Sequence, residues 1–336
     1  MTEEELVLDE IEYYEELFDP LRTDRKARRS RKPIMKRAAP EDSGQVIAEV
    51  AEVVGLEGGF VTTYHPARYE TGWLLSSLRS FYDRELVTDV LALVKGGKEA
   101  NVYRCAAHPR TGMGLLAAKV YRPRKFRNLR NDKMYREGRE ILKADGRAVN
   151  KSDHRIMRAI GKKTAFGVQV QHTSWLMHEY TALERLYRAG AAVPQPVAVS
   201  ENAILMSYHG DARRTAPTLN EVSLELQQAK PLFREVLPNV DLMLKHGLVH
   251  GDLSAYNILY WAGEITLIDF PQVTSSYTNG SAHDILHRDI VRVCEYFARQ
   301  GIRSDPEAIL ADLWHRYVRI DPTARAADAS RDLVEE

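Results

Sequence analysis

The spacing of apolar positions predicts that the chain becomes globular after about residue 60. Residues 73–94 have the pattern of a helix that runs into a strand. Residues 100–109 and 114–123 have the pattern of two further strands, joined by a turn that contains Pro109 and Gly112. We therefore expect an antiparallel sheet in the first half of the chain.

The second half has mainly helical periodicity. In residues 174–190 the apolar residues recur at helical spacing, and Gly190 ends the pattern. The remaining pattern predicts two short strands in 193–210, a helix in 222–247, a strand in 265–270 and helices from about residue 285 onward. A sheet with one helix would thus precede a mainly helical half, and the junction would lie near residues 207–210.

A group of polar residues interrupts the apolar pattern. In the sequence LVHGDLSAYNILY, residues 248–260, Asp252 and Asn257 lie five residues apart between two apolar stretches. An aspartate on a loop can orient a hydroxyl group and accept its proton, and an asparagine can bind Mg²⁺ through its amide oxygen. Asp269, twelve residues after Asn257, could complete a metal site. His250 and Asp252 could each simply cap a turn, but that alternative does not explain Asp269, and the set predicts phosphoryl-transfer chemistry.

Two upstream features fit a nucleotide site. Lys119 lies in an apolar strand, where an unpaired ammonium group is costly to bury, and Glu179 on the predicted helix of residues 174–190 is a candidate partner. A lysine held by a helix glutamate can bind the α- and β-phosphates of ATP, whereas a lysine read alone could simply reach solvent from the strand. Gly96 and Gly97 would allow a close approach of backbone to phosphate, but they form neither a Walker A motif nor a complete G-x-G-x-x-G.

Composition excludes several classes of protein. Lys plus Arg and Asp plus Glu number 47 each, so no overall charge draws the chain to nucleic acid or to a membrane. Cys105 and Cys294 are the only cysteines and form no C-x-x-C pattern, and we interpret both as ordinary buried thiols. No apolar run is long enough to span a membrane and no signal peptide is recognisable, so we expect a soluble, cytoplasmic protein.

Two segments carry concentrated charge. Residues 3–19 contain nine acidic and no basic side chains, whereas residues 22–37 contain nine basic side chains and one acidic. This arm could be solvated and disordered, or its basic half could bind RNA phosphates. Residues 122–165 form a second basic segment, which we interpret either as a solvated insertion or as a partner-binding one.

The order of these motifs resembles that of the RIO family of atypical serine/threonine protein kinases. The resemblance covers about residues 85–300 and rests on GGKEANVY, AAKVY, HEYTALERL, ILMSY, VHGDLSAYNILY and IDFPQ. It implies an α+β, two-lobed fold like that of protein kinases, with an antiparallel sheet and a helix in the N-lobe and a truncated, mainly helical C-lobe. It also implies that the chain binds ATP and Mg²⁺.

The resemblance assigns a role to each candidate residue. Asp252 would be the catalytic acid/base, Asn257 and Asp269 the catalytic metal ligands, and Asp269 could itself become phosphorylated. Lys119 and Glu179 would form the pair that anchors ATP. The remaining nucleotide contacts would come from a phosphate loop and from two residues beside adenine, namely Gly96, Gly97, Lys98, Glu99, Ala100, Asn101 and Val102, with Met206 and Tyr208.

The sequence also departs from ordinary protein kinases. Gly251 stands where the H-R-D motif has its arginine, and Pro271 replaces the glycine of D-F-G, so control through a phosphorylated activation loop is not expected. The triplet at residues 287–289 also spells H-R-D, but Cys294 stands where an asparagine is needed and the surroundings have a helical pattern. We reject it as the catalytic loop and expect Asp289 to hydrogen-bond the catalytic-loop backbone.

These observations predict a domain organisation. Residues 1–60 are too charged and too poor in apolar residues to form the winged-helix domain that some RIO proteins carry, which indicates a reduced member of the family. The predicted parts are a disordered charged arm (1–45), a helical extension (46–85), an N-lobe (86–206) with a basic insertion (122–165), a C-lobe (207–325) and an acidic tail (326–336).

The predicted function is that of a serine/threonine protein kinase, an ATPase, or both, which acts on a protein substrate or on itself and is linked to ribosome assembly. One alternative is a small-molecule phosphotransferase of the aminoglycoside or choline kinase type, although GGKEANVY and IDFPQ argue against it. The other is an assembly factor that binds ribosomal RNA or a pre-ribosomal particle through its basic segments and uses ATP as a conformational ligand. No membrane partner is expected, and the oligomeric state is not predicted.

Overall fold

The structure is a computed structural model that describes residues 61–97, 99–122, 135, 137–150, 152–162 and 164–317. The predicted arm (1–45), the predicted tail (326–336), Lys98 and part of the basic insertion lie outside these residues. The chain divides into two compact units. The first is Met1–Asn128 with Asn202–Leu205, and the second is Leu129–Glu201 with Met206–Glu336.

The first unit is built on a sheet whose neighbouring strands are ordered β1-β2-β3-β4-β6. The β2-β3 and β3-β4 pairs are antiparallel, as the sequence pattern predicts, whereas the short strand β1 was not predicted and pairs with β2 in parallel. The elements are β1 (Val61–Thr62), α1 (Arg68–Asp83), β2 (Val87–Gly96), β3 (Ala100–Ala107), β4 (Leu115–Tyr121) and the first residues of β6 (Ala203–Ser207).

Helix α1 packs through one apolar face. Leu74, Leu75, Leu78 and Phe81 recur at the spacing of a helix face, and each is 0 % exposed. Burial of a large aliphatic or aromatic side chain stabilises a fold by about 1.5–3 kcal/mol. Helix α1, which precedes the long strands, therefore contributes to the core of the first unit.

The second unit is mainly helical, and besides the predicted C-lobe residues it contains residues 129–201, which the sequence analysis assigned to the N-lobe. A continuous apolar core joins its helices and short strands, and it includes Leu232, Val236, Ile290 and Phe297. The elements are α2 (His154–Gly161), α3 (Ala165–Arg188), β5 (Pro196–Val199), α4 (Leu226–Lys245), β7 (Leu248–Val249), β8 (Ile258–Trp261), β9 (Glu264–Leu267), β10 (Thr274–Ser275), α5 (Ala282–Arg299) and α6 (Pro306–Tyr317).

Two small antiparallel sheets fix the polar loops of the second unit. Strand β7 pairs with β10, and β8 pairs with β9. The loop of residues 250–257 leaves β7 and enters β8, while residues 268–273 leave β9 and enter β10. Both loops are therefore anchored at both ends by the same two sheets. Among the residues that the structure describes, every helix is too short or too polar to cross a lipid bilayer.

Candidate active site

The loop between β7 and β8, which we call the catalytic loop (residues 250–257), positions Asp252 against Asn257. The Asn257 amide nitrogen donates to the Asp252 backbone oxygen at 2.9 Å and to its Oδ2 at 3.2 Å. Asn257 is buried, whereas the Asp252 side chain is 40 % exposed. Because both contacts use the nitrogen of the amide, the amide oxygen is the atom available for a cation.

The second loop, which we call the metal loop (residues 268–273), brings Asp269 next to this pair. The Ile268 amide donates to the Asn257 backbone oxygen at 3.0 Å, and Asp269 is the following residue. Asp269 has a left-handed backbone with φ of 72°, which is uncommon outside glycine and is best tolerated by Asp and Asn. Its side chain is exposed, while the next residue, Phe270, is buried. The backbone reversal at Asp269 thus turns the carboxylate outward while Phe270 enters the core.

His250 joins the two loops. Its Nε2 lies 3.1 Å from the Ile268 backbone oxygen, and its Nδ1 lies 3.3 Å from the Asp252 amide nitrogen. A carbonyl can only accept and an amide N–H can only donate, so both contacts agree on the tautomer with the proton on Nε2. The imidazole also packs on Phe270, with 4.6 Å between ring centroids. His250 therefore links the catalytic and metal loops, a role beyond capping a single turn.

Gly251 meets a geometric requirement that an arginine could not meet. Its φ is +89°, and a Cβ at this position would lie 2.4 Å from the backbone oxygen of Gln272. Glycine alone adopts such a φ without strain, and it alone allows this approach of the metal loop. The substitution of the H-R-D arginine by glycine is thus explained by the contact between the two loops.

Asp289 of α5 holds the catalytic-loop backbone, as the sequence predicts. Its Oδ2 accepts a hydrogen bond from the Gly251 amide at 2.8 Å, and the residue is 1 % exposed. Burial raises the pKa of Asp289 to about 7, while the bond from Gly251 and the charge of Arg288 act in the opposite direction. The rejected H-R-D triplet therefore lies on a helix, and its aspartate contacts the catalytic-loop backbone.

Three arginines that the sequence analysis did not single out also contact the two loops. Arg288 donates to the Gly251 backbone oxygen and, at 2.7 Å, to the Tyr135 hydroxyl. Arg292 Nη1 donates to Asp252 Oδ1 at 2.7 Å. Arg292 could have been found, because it lies three residues after Asp289 and residues at that spacing share a helix face.

The third arginine, Arg139, approaches the metal loop from a segment distant in sequence. Its Nη2 donates to the backbone oxygens of Pro271 at 2.9 Å and Val273 at 2.6 Å. These residues are 132 and 134 positions apart from Arg139, and no local pattern marks the contact. The proline that replaces the D-F-G glycine is thus held through its carbonyl group.

In the first unit, the turn between β2 and β3 contains the predicted phosphate loop. Gly96 pairs with Asn101, and the Gly97 amide donates to Asn101 Oδ1 at 3.4 Å. A Cβ on Gly97 would lie 2.7 Å from the Ala100 backbone oxygen, so the turn requires a glycine there. Ala100 and Val102 belong to β3, the Glu99 backbone oxygen accepts from the Arg122 amide at 2.9 Å, and Lys98 lies outside the described residues.

A buried polar network supports this turn. The Glu70 carboxylate, 1 % exposed, accepts from the hydroxyl of Tyr103 and from Asn101 Nδ2 at 3.4 Å. It also accepts from the Tyr64 hydroxyl at 3.2 Å and the Ala67 amide at 3.3 Å. Asn101 Nδ2 donates to the Tyr103 hydroxyl at 3.0 Å. We call Glu70, Tyr103, Asn101 and Tyr64 the Glu70 network; its three donors and the Ala67 amide together satisfy the buried carboxylate.

The other predicted nucleotide residues are distributed between the two units. Lys119 on β4 is 9 % exposed, and its Nζ lies 5.4 Å from the ring centroid of Tyr121. Glu179 on α3 is 3 % exposed and belongs to the second unit, so the pairing of Lys119 with Glu179 remains a prediction. Met206 and Tyr208 are half-buried, Met206 packs on the core of the second unit, and the Tyr208 hydroxyl donates to Thr215 Oγ1 at 3.0 Å.

The donor set suits a hard cation better than zinc. Among the described residues there is no cluster of three or more His, Cys, Asp or Glu side chains that could hold a metal. Cys105 and Cys294 are buried as predicted, and burial raises the pKa of Cys105 to about 12. One amide oxygen and one exposed carboxylate fit Mg²⁺, which takes few protein ligands and keeps several waters.

Comparison with known proteins identifies similar serine/threonine-protein kinases. RIO-type serine/threonine-protein kinase Rio1 of Haloferax volcanii is 32 % identical over 217 residues, which cover 64 % of this chain and 66 % of that protein. Serine/threonine-protein kinase RIO1 of Chaetomium thermophilum is 28 % identical over 231 residues, which cover 66 % of this chain and 41 % of that protein. The chain therefore spans slightly under two thirds of the length of the first relative and under half of the second.

A solved structure shows the fold. The Rio2 kinase of Chaetomium thermophilum, crystallised as an ADP/Mg²⁺-phosphoaspartate complex, matches with a TM-score of 0.51 and 22 % identity over 83 % of this chain and 76 % of that chain. This likeness confirms the predicted protein-kinase-like α+β fold. The family model described as RIO domain matches residues 101–309, well over half of the chain. The chain therefore belongs to the RIO family.

Proposed function

We propose that this chain is an ATP-dependent phosphotransferase that acts as a serine/threonine protein kinase, as an ATPase, or as both. The observation that carries the proposal is the arrangement of Asp252, Asn257 and Asp269 on two loops joined by His250 and by the Asn257–Ile268 backbone bond. An exposed carboxylate beside an amide and a second carboxylate is the donor set that metal-assisted phosphoryl transfer needs.

Asp252 would orient the acceptor hydroxyl and accept its proton. It suits this role because its side chain is 40 % exposed and its Oδ2 is already bonded to Asn257. The Asn257 amide oxygen and the Asp269 carboxylate would hold Mg²⁺, which when bound neutralises charge on the phosphates. The transition state of phosphoryl transfer is loose, so positioning and electrostatics account for most of the catalysis.

The nucleotide would be held by the phosphate loop and by the ion pair of Lys119 and Glu179. The turn of residues 96–101 has a glycine at the point of closest backbone approach, and Asn101 fixes its shape through the Gly97 amide. Lys119 and Glu179 are both buried, and a buried charge needs a partner. Met206 and Tyr208 would lie beside adenine.

Asp269 is a second candidate acceptor. An oxygen of its carboxylate would attack the γ-phosphorus, the bond from phosphorus to the bridging oxygen would break, and ADP would leave with that oxygen. The product would be an aspartyl phosphate, which water then cleaves to release phosphate and restore the carboxylate. Support comes from the exposed carboxylate on a strained, left-handed residue and from the phosphoaspartate in the crystal of the related Rio2 kinase.

A link to ribosome assembly and contact with RNA are parts of the same proposal, as is a cytoplasmic location. The described part of the basic insertion presents Arg155 and Arg158 on α2, and Lys162 directly after it, to solvent. Exposed cations of this kind favour phosphate-rich partners. Binding of a ribosomal RNA fragment should therefore weaken steeply as the salt concentration rises, and salt-independent binding would contradict an electrostatic contact.

The decisive experiment incubates wild type, Asp252→Asn and Asp269→Asn with Mg²⁺ and γ-labelled ATP. Label on protein and in free phosphate are followed separately. Acid-stable label that both variants lose would indicate a serine/threonine kinase, and free phosphate with a base-labile adduct that Asp269→Asn abolishes would indicate an aspartyl-phosphate ATPase. Asp284→Asn on α5, whose side chain is 90 % exposed, is the matched control and should behave as wild type. Full turnover in both site variants would overturn the proposal.

A further inference from the structure

The ion pair between Arg292 and Asp252 lies at the centre of the candidate site. Arg292 Nη1 approaches Asp252 Oδ1 to 2.7 Å, and the two side chains are each 40 % exposed. A contact of this length between a guanidinium and a carboxylate is a charge-assisted hydrogen bond, which is stronger than a bond between neutral groups. Arg292 thus contacts the carboxylate to which the proposed function assigns the proton.

The packing of helix α5 holds the backbone of Arg292 in place. Ile290 and Val293, on either side of Arg292, are each 2 % exposed in the core of the second unit. The same helix holds the preceding catalytic-loop residue twice, through the Asp289 carboxylate on the Gly251 amide and through Arg288 on the Gly251 oxygen. The helix and the loop are therefore tied together immediately before Asp252, which limits how far Arg292 can move relative to it.

The Asp252 carboxylate is held by two donors of unequal strength. The Asn257 amide reaches Oδ2 at 3.2 Å, whereas Arg292 reaches Oδ1 at 2.7 Å with a full positive charge. Together they fix the rotation of the carboxylate about its terminal bond, a torsion that is otherwise broad. Each carboxylate oxygen has two lone pairs, so the carboxylate can still accept the hydroxyl group of an acceptor.

Arg292 also changes the electrostatics of the approach to Asp252. A negatively charged phosphoryl group that comes close to an isolated carboxylate is repelled. A guanidinium on one oxygen of the same carboxylate offsets this repulsion. The arginine therefore favours the geometry in which acceptor, Asp252 and phosphate are close together.

We infer that Arg292 is a positioning residue for phosphoryl transfer, which orients the Asp252 carboxylate and offsets its charge. The inference rests on the proposed function, because it concerns the turnover that Asp252 supports. It assigns to Arg292 an effect on kcat and none on nucleotide binding, since Arg292 contacts Asp252, which is neither a proposed metal ligand nor a proposed nucleotide contact.

The test measures kcat and KM for ATP in wild type, Arg292→Ala and Arg292→Lys. We expect kcat to fall about tenfold or more in Arg292→Ala, because loss of orientation removes part of the 10²- to 10⁴-fold contribution of a general base. The KM for ATP should stay within about twofold of wild type. Arg292→Lys should recover part of kcat, since an ammonium keeps the charge and loses the planar donor geometry.

A double-mutant comparison separates positioning from a general structural role. In an Asp252→Asn background, Arg292→Ala should cause no further fall in single-turnover rate, because residues that act as a unit are not additive. Arg299→Ala, an exposed arginine on the same helix, is the control and should leave kcat unchanged. Urea denaturation midpoints should match in all arginine variants, so that a lower kcat does not reflect unfolding.

The outcomes distinguish the inference from the proposed function. A wild type without Mg²⁺-dependent turnover would overturn both. An active wild type with an equal or higher kcat in Arg292→Ala would overturn the inference alone and leave the proposed function standing. The inference alone would also be overturned if Arg292→Ala lowers the rate as strongly in the Asp252→Asn background as in wild type, because Arg292 would then act independently of Asp252.

Discussion

Tyr103→Phe tests the Glu70 network by removing one hydroxyl group. The phenol donates to the Glu70 carboxylate and accepts from Asn101 Nδ2. Burial and the neighbouring carboxylate raise the pKa of Tyr103, so the hydroxyl keeps its proton and remains a donor. Phenylalanine retains the ring, which packs on Trp73 and Tyr64 at centroid distances of 6.4 and 5.8 Å, so the substitution isolates the polar contact.

The expected cost follows from the two lost hydrogen bonds. A bond to a charged group contributes about 1.5–3 kcal/mol, and a bond between neutral groups contributes about 0.5–1.5 kcal/mol. Glu70 keeps its contacts with Tyr64, Ala67 and Asn101, so the carboxylate is not left without donors. The loss should therefore lie in the lower part of the summed range, and we expect the free energy of unfolding of the first unit to fall by about 2–3 kcal/mol.

Urea denaturation followed by tryptophan fluorescence measures this loss. Trp73 contacts the Tyr103 ring edge-on and thus reports on the first unit, and replacement of the other three tryptophans by phenylalanine makes the signal local. With a denaturant slope of about 1–3 kcal/mol per molar for urea, the midpoint should fall by on the order of 1 M. Binding of ADP, measured by calorimetry, should weaken in parallel, because Asn101 also holds the Gly97 amide of the phosphate loop.

Two results would refute the reasoning. An unchanged midpoint in Tyr103→Phe would mean that the buried hydroxyl contributes nothing to stability. A lower midpoint with unchanged ADP affinity would mean that the Glu70 network supports the sheet and does not reach the phosphate loop. Tyr187→Phe is the matched control, since Tyr187 is 41 % exposed and a surface change of this kind costs less than about 0.5 kcal/mol.

Three further predictions concern the second unit. The pKa of Asp289 is raised by burial to about 7, so its contribution to stability is complete below pH about 4 and is lost as the pH rises through 7; urea midpoints at pH 5 and 8 should differ less in Asp289→Asn than in wild type. Gly251→Ala should lower the midpoint by more than Gly263→Ala, because both have a left-handed φ but only at Gly251 would a Cβ meet a backbone atom, at 2.4 Å; equal midpoints would contradict this. Arg139→Ala should accelerate amide hydrogen exchange in the metal loop, which loses two bonds to its carbonyl oxygens, and unchanged exchange would show that Arg139 does not restrain it.

The secondary structure and the placement of the central candidate residues on loops between strands could be predicted because their signals are local. The helix pattern and the strand pattern within residues 73–94 each lie within one element, α1 and β2, and the helix pattern of residues 174–190 falls on α3. Asp252 and Asn257 are five residues apart on one loop, and the apolar pattern around them marks the strands that anchor it. Asp269 lies two residues after β9, the strand that pairs with the one after Asn257.

The contacts that fix these residues in place could not be predicted because they join distant parts of the chain. Tyr103 and Glu70 are 33 residues apart, Arg292 and Asp252 are 40 apart, and Arg139 and the metal loop are more than 130 apart. A single charged residue on a helix or in a loop has the same appearance in sequence whether it faces solvent or a carboxylate. Helix spacing points to such a contact only when another residue on the same helix face has already been assigned a contact, as Asp289 was for Arg292.

The contacts that hold the candidate residues in place fit the chemistry that the chain is proposed to perform. A loose phosphoryl-transfer transition state needs little covalent help, so the protein contributes chiefly by keeping its groups in place before the reaction. In the catalytic loop this constraint comes from α5, which contacts both backbone groups of Gly251 and the Asp252 carboxylate. In the first unit it comes from Glu70, which precedes the segment that the RIO model matches. Because Glu70 supports the phosphate loop through Asn101 whereas Arg292 contacts Asp252, their substitution should affect different steps, with nucleotide affinity sensitive to Glu70 and kcat sensitive to Arg292.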